Sequence, residues 1–216
     1  MKKATAIRRQ ELVQTAYRLL TEKGIDSITT KELARQNGIS EAALYRHFAN
    51  KHAIFMALLD EIESDLFQTI GKAAGDNGAP LKKLEAIMRA HMNFTERRKG
   101  GIFVITAECI HLRDRDFNQK LLGVIDRYMN TIRRILVDAK KENAINQDID
   151  IDTAGLMFYS LIQVAAIHYV LTDYRIKPIS KLRTMWNVFL RGVERDTGSR
   201  RSWRKQPSSR ARAACS

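Results

Sequence analysis

Residues 29–48 read TTKELARQNGISEAALYRHF, two short apolar-periodic segments joined at Gly38. Neither can hold a helix alone in water, because nucleating a helix costs more than so few backbone hydrogen bonds return. Such stubs persist only when a further helix clamps them. Two of them set at an angle across a tight glycine turn make a helix-turn-helix. Thr29 with Glu32 three residues on is a capping-box start. Ser40 caps the second stub, from Glu41 to about His47, and Asn50 caps the helix after it. Leu33, Ala34, Ile39, Leu44 and Phe48 point inward. They face Leu12, Ala16 and Leu19 of a preceding helix, closed by Gly24 as an αL cap, and Ile54, Phe55 and Leu58 of a following one.

The second stub then presents Glu41, Ala42, Ala43, Tyr45, Arg46 and His47 outward, over about two turns that match a DNA major groove. Thr29, Thr30, Asn50 and Lys51 stand at helix starts, where free amides attract phosphate. Tyr45 and His47 can donate to phosphate oxygens. Ala42 and Ala43 let the backbone approach base edges. Glu41 can accept from a cytosine amino group, and Lys31 or Arg46 can reach guanine or phosphate. Charge placement agrees. The net charge is +13, yet residues 52–196 are nearly neutral, while residues 1–51 hold ten Lys/Arg against five Asp/Glu and residues 197–216 hold six against none. A basic N-terminal module calls for an anionic partner.

Only three prolines and eleven glycines interrupt 216 residues, and no strand alternation is visible, so the expected class is all-α. About nine helices are expected. The later ones fall at 80–98, 101–112, 114–142, 151–173 and 178–195, after the break GDNGAP at 75–80. The two cysteines suggest neither a metal site nor a disulfide framework, the start lacks an apolar leader, and the longest apolar run, 154–172, is interrupted by Ser160, Gln163 and His168. A cytoplasmic, nucleoid-associated protein without a membrane partner is expected. No P-loop, G-x-G-x-x-G, H-E-x-x-H or nucleophile elbow is present, so an enzyme is not expected.

The stretch ITTKELARQNGISEAALYRHFANKHAIF resembles the DNA-binding domain of the TetR family of bacterial transcriptional regulators. The likeness rests on the Thr pair, L-A at 33–34, G-I-S at 38–40, L-Y-x-H-F at 44–48 and N-K at 50–51, and covers about residues 7–62. It implies DNA contact at the positions of Thr29, Lys31, Glu41, Ala42, Ala43, Tyr45, His47 and Lys51, and a dimeric C-terminal ligand domain. With it, the chain divides into a DNA-binding domain (6–66), a ligand-binding and dimerisation domain (67–196) and a basic disordered tail (197–216).

A cavity for a small apolar ligand is expected among the mixed residues Phe94, Phe103, Thr106, Cys109, Tyr128, Met129, Phe158, Gln163, His168 and Tyr169, for which a solid core is the alternative. His91, Cys109, His111 and His168 have no ligand-pair spacing beyond Glu108–His111, so neither a metal nor a cofactor is expected. The last two helices carry more apolar surface than one core needs. Leu161, Ala165, Leu182, Trp186, Phe189 and Val193 are the expected C2 interface, forming a four-helix bundle with their mates. The expected protein is a ligand-responsive homodimeric repressor of a palindromic double-stranded operator. The rival is a DNA-bound protein acting through a protein partner, since SEAALYRHF also resembles the recognition helix of the nucleoid-occlusion member of the family, a likeness expected to stop at the first domain.

Overall fold

The computed structural model describes residues 2–75 and 78–194; the basic tail, with Cys215, lies outside the described residues. Nine α-helices and no strand occur among them: α1 Lys2–Lys23, α2 Thr30–Gln36, α3 Glu41–Tyr45, α4 Lys51–Ala74, α5 Pro80–Arg97, α6 Gly101–Leu112, α7 Arg115–Lys141, α8 Ile151–Leu171 and α9 Leu182–Val193. Two 3-10 turns, Ile25–Ser27 and Pro178–Lys181, complete the chain path.

Local chemistry sets these boundaries. Thr29 accepts from the Glu32 amide at 3.1 Å, Ser40 from that of Ala43 at 3.1 Å and Asn50 from that of Ala53 at 2.9 Å, so each expected cap forms. The capping box at Thr29 is only half made, because the Glu32 carboxylate turns to Arg35 and Gln36. The turn between α2 and α3 is a Schellman closure: Ile39 N–H donates to Ala34 C=O at 3.0 Å and Gly38 N–H to Arg35 C=O, with Gly38 at φ +64. Gly24 departs from expectation. Its φ of 80 is positive but its ψ is 175, outside αL and in a region essentially confined to glycine. The first helix begins at Lys2, ahead of residue 6 where the DNA-binding domain is expected to start, and α3 ends at Tyr45, so Arg46 and His47 form a turn rather than a second helical turn.

One hydrophobic core runs through the chain, from Leu12 and Leu19 past Leu33, Leu44, Phe48 and Leu58 to Met92, Tyr128, Phe158 and Phe189. The 24-residue helix α4 is its spine. At 1.5 Å per residue it spans about 36 Å, packing on α1 at one end and on α5 and α7 along its length. Helix α8 is long and apolar enough to cross a membrane, with a mean hydropathy of 1.6. It packs instead on α5, α7 and α9.

Candidate nucleic-acid interface and the joint beneath it

The helix-turn-helix buries Leu33, Ala34, Leu44 and Phe48, as the pattern required, and leaves the opposite side open. Tyr45 is 51% exposed. Thr29, Lys31, Ser40, Glu41, Ala42, Arg46 and Lys51 are exposed, while Thr30, Ala43 and His47 are half-buried. The hydroxyls of Thr29 and Ser40 accept from backbone amides, which leaves each O–H free to donate. Thr30 donates to the Glu41 carboxylate at 2.9 Å, tying the start of α2 to the start of α3 and occupying one oxygen of the side chain expected to meet cytosine. Glu32 is held at about 2 by its hydrogen bonds from Arg35 and Gln36. Lys31, Arg46 and Lys51 form no ion pair among the described residues, so the exposed side carries three uncompensated cations. His47 Nδ1 is buried with no hydrogen-bond partner among the described residues.

Beneath this surface, the first turn of α4 meets the start of α7. His52 Nδ1 lies 2.8 Å from Asp114 Oδ2, and Asp114 Oδ1 accepts from Phe117 N–H at 3.0 Å, capping α7. Phe117 stands edge-on to Phe55, with centroids 6.4 Å apart. A cavity of about 310 Å³ opens here, lined by Ile25, Lys51, His52, Phe55, Ile105, Asp114 and Phe117. None of the expected pocket residues lines it. Asp116 joins His52 and Asp114 in a group of potential metal ligands whose donor atoms lie within 4.8 Å of one another. Spacing along the chain did not reveal it, because the histidine and the aspartates are about sixty residues apart. Further along α4, Lys120 pairs with Asp60 and Arg127 with Glu63 at 3.1 Å, fastening α7 to the spine.

The expected pocket residues are largely packed core. Phe94, Tyr128 and Phe158 are fully buried and Tyr169 nearly so. Phe103, Thr106, Met129 and Gln163 are half-buried, His168 is exposed and therefore no part of an interior wall, and the side chain of Cys109 lies outside the described residues. His91 is fully buried and meets the Tyr128 hydroxyl at 3.0 Å. Burial pushes its imidazole down to about 4 and the Tyr128 phenol upward.

A family model described as bacterial regulatory proteins, tetR family, matches residues 12–58, and a second, the YsiA-like protein C-terminal region, matches residues 59–192. The chain belongs to the TetR family. Its TetR-family relatives include the nucleoid occlusion factor SlmA of Marinomonas sp. (strain MWYL1), 25% identical over 186 residues, which are 86% of this chain and 94% of that protein. SlmA of Aliivibrio fischeri (strain MJ11) is 26% identical over 180 residues, 83% of this chain and 92% of that one. The likeness to nucleoid occlusion factors therefore does not stop at the first domain. Among solved structures, the TetR-family regulator PfmR of Thermus thermophilus is 26% identical with a TM-score of 0.70, covering 85% of this chain and 99% of its own. FadR of Bacillus subtilis, solved with stearoyl-CoA, shares the fold at 18% identity and a TM-score of 0.73, covering 86% and 99%.

In this TetR-family chain the residues expected at the dimer interface face inward. Ala165, Leu182, Trp186, Phe189 and Val193 are buried within the chain and Leu161 is half-buried. Phe189 packs on Phe158 and Trp186 at 5.3 and 5.7 Å between ring centroids. Because α8 is apolar on nearly every side, periodicity could not say which face is inner. The outer face carries Leu156, Met157, Val164 and Leu171 on α8 and Val188 on α9, all exposed large apolar residues, with Val164 at 59%.

Proposed function

We propose that the protein is a homodimeric, ligand-responsive transcriptional repressor that binds a palindromic operator. One observation carries this reading: the exposed side of the helix-turn-helix holds Lys31, Arg46 and Lys51 without ion-pair partners among the described residues, beside the exposed Tyr45. Uncompensated cations there suit a polyanion. In this reading Tyr45, Lys31 and Lys51, with the O–H groups of Thr29 and Ser40, position the phosphate backbone, while Thr30 holds Glu41 in place. Glu41, Ala42 and Ala43 meet base edges, and Arg46 and His47 meet base edges or adjacent phosphates. The protein works by binding, on the nucleoid, rather than by turnover.

One short recognition helix reads too little DNA. A second copy, joined through the outer face of α8 and α9, places two of them about 34–36 Å apart. Burying Leu156, Met157, Val164, Leu171 and Val188 in that interface also accounts for a helix with two apolar faces. The reading module takes residues 6–66 and the regulatory module 67–196. The spine α4, shared by both, is the element that a small apolar ligand shifts, provided the ligand binds the two conformers with different affinity. A structure of the same fold, FadR of Bacillus subtilis, was solved with stearoyl-CoA, a larger ligand with an apolar acyl chain and a charged head group.

Duplex binding across a salt series tests the reading. The slope of log K against log salt falls by about one for Lys51→Gln, and Tyr45→Ala weakens binding across all sequences. A slope unchanged by Lys51→Gln together with an affinity unchanged by Tyr45→Ala contradicts the assignment. The SlmA relatives favour a second reading, a DNA-bound protein that acts through a protein partner. A protein partner captured by operator-bound but not free protein, with operator affinity indifferent to small molecules, supports it over the first.

A further inference from the structure

We propose that the cavity at the joint takes a small organic acid. Its apolar body lies among Phe55, Phe117 and Ile105, and its carboxylate pairs with Lys51. The claim that this displaces DNA rests on the place of Lys51 in the proposed reading surface; the claim that the acid binds does not.

The choice of an anion comes from the polar end of the cavity. Asp114 has both oxygens engaged, one by His52 Nδ1 at 2.8 Å and one by the Phe117 amide at 3.0 Å. His52 has that nitrogen engaged in turn. Lys51 has no ion pair among the described residues; its ammonium nitrogen lies 5.2 Å from the Phe55 ring centroid. Among the lining residues the charge without a partner among the described residues is thus the Lys51 cation, which an anionic head group satisfies, while Asp114, charged though hydrogen-bonded, and Asp116 beside it oppose an anion set anywhere else in the cavity. The remaining wall is aromatic and aliphatic, so the rest of the molecule is apolar. A volume of about 310 Å³ stands at the small end of the ~300–1,000 Å³ usual for ligand sites. That admits a medium-chain or phenyl-substituted acid and excludes a nucleotide-bearing one.

Bound acid and DNA phosphate then compete for one ammonium group. This direct loss of a DNA-backbone contact adds to the shift of α4 that filling the space between α4 and α7 brings.

Calorimetric titration of the full chain with octanoate, 3-phenylpropanoate and 1-octanol tests the site. Fluorescence anisotropy on a duplex enriched from a random library tests the coupling. Expected are saturable binding of both acids at one per chain, binding of the alcohol at least about tenfold weaker, and operator binding weakened about tenfold at saturating octanoate. Ile105→Trp fills the apolar end and abolishes octanoate binding. Should that variant not fold, intermolecular nuclear Overhauser effects from octanoate to the Phe55 and Phe117 rings of the unsubstituted protein locate the ligand instead. Absence of saturable acid binding, octanol binding as well as octanoate, or contacts elsewhere overturns the site. Octanoate seated at those rings while Lys51→Gln keeps full operator affinity supports the site and overturns the assignment of Lys51 to phosphate.

Discussion

The Tyr17 hydroxyl donates to the backbone carbonyl of Arg98 at 2.9 Å, joining α1 to the turn after α5. The Arg98 guanidinium returns over the Tyr17 ring, 4.5 Å from its centroid, and pairs with Asp65 of α4. Three helices, α1, α4 and, through the turn that follows it, α5, therefore meet at Tyr17, Arg98 and Asp65. Burial raises the Tyr17 phenol well above its ordinary value, so it stays a donor throughout the physiological range. Tyr17→Phe keeps the ring under Arg98 and removes only the O–H. Urea unfolding is expected to show a loss of about 1 kcal/mol, with Tyr17→Ala losing several times more through the cavity it leaves.

The same turn depends on a glycine. Gly100 has φ +67, and a Cβ added there would lie 2.4 Å from Val170 Cγ2. Gly123, inside α7, has nothing within 4 Å of its added Cβ. Gly100→Ala is expected to lower stability by about 2 kcal/mol or more, and Gly123→Ala to raise it by about 0.5 kcal/mol. Thermal melts of the two variants side by side check both signs.

Acid should weaken the fold through His91. Its folded value is about 4 against an ordinary 6.5, because the fully buried ring cannot solvate a charge. Between those values the unfolded chain takes up a proton that the folded chain refuses. The stability is fully present above about 6.5 and falls as the pH drops toward 4, by about 3 kcal/mol from this group. A His91→Gln variant, measured by urea unfolding at pH 7, 6 and 5, should lose that part of the slope.

The outer face of α8 offers a test of assembly. Val164→Glu places a charge at the centre of the exposed apolar strip. Sedimentation is expected to give a dimer for the unsubstituted protein and a monomer for the variant, with the melting temperature of the fold otherwise near that of a dissociated chain. Trp186→Ala, despite lying on α9, should act as a core substitution and cost about 3–5 kcal/mol, since Trp186 packs against Phe189 inside the chain.

What could be read from the sequence was local. Thr29, Ser40 and Asn50 act on amides three residues away, so their roles follow from spacing alone. Leu33, Leu44 and Phe48 had one way to be buried together. The orientation of α8 was not legible, because nearly every position on it is apolar and the face set by Phe158 and Ile162 differs from that of Val164 only in what packs there. The joint cavity was hidden for a different reason. Its walls come from the turn after α1, the first turn of α4, the middle of α6 and the start of α7. Packing of α4 against α6 and α7, and of α6 against the turn after α1, brings those segments together.

Selection from a random duplex library with the full chain, at near-physiological salt, tests the central claim most directly. The predicted result is enrichment of a palindrome with half-sites about one helical turn apart, lost in the Val164→Glu and Tyr45→Ala variants. Recovery of only sequence-independent, strongly salt-dependent binding would contradict it.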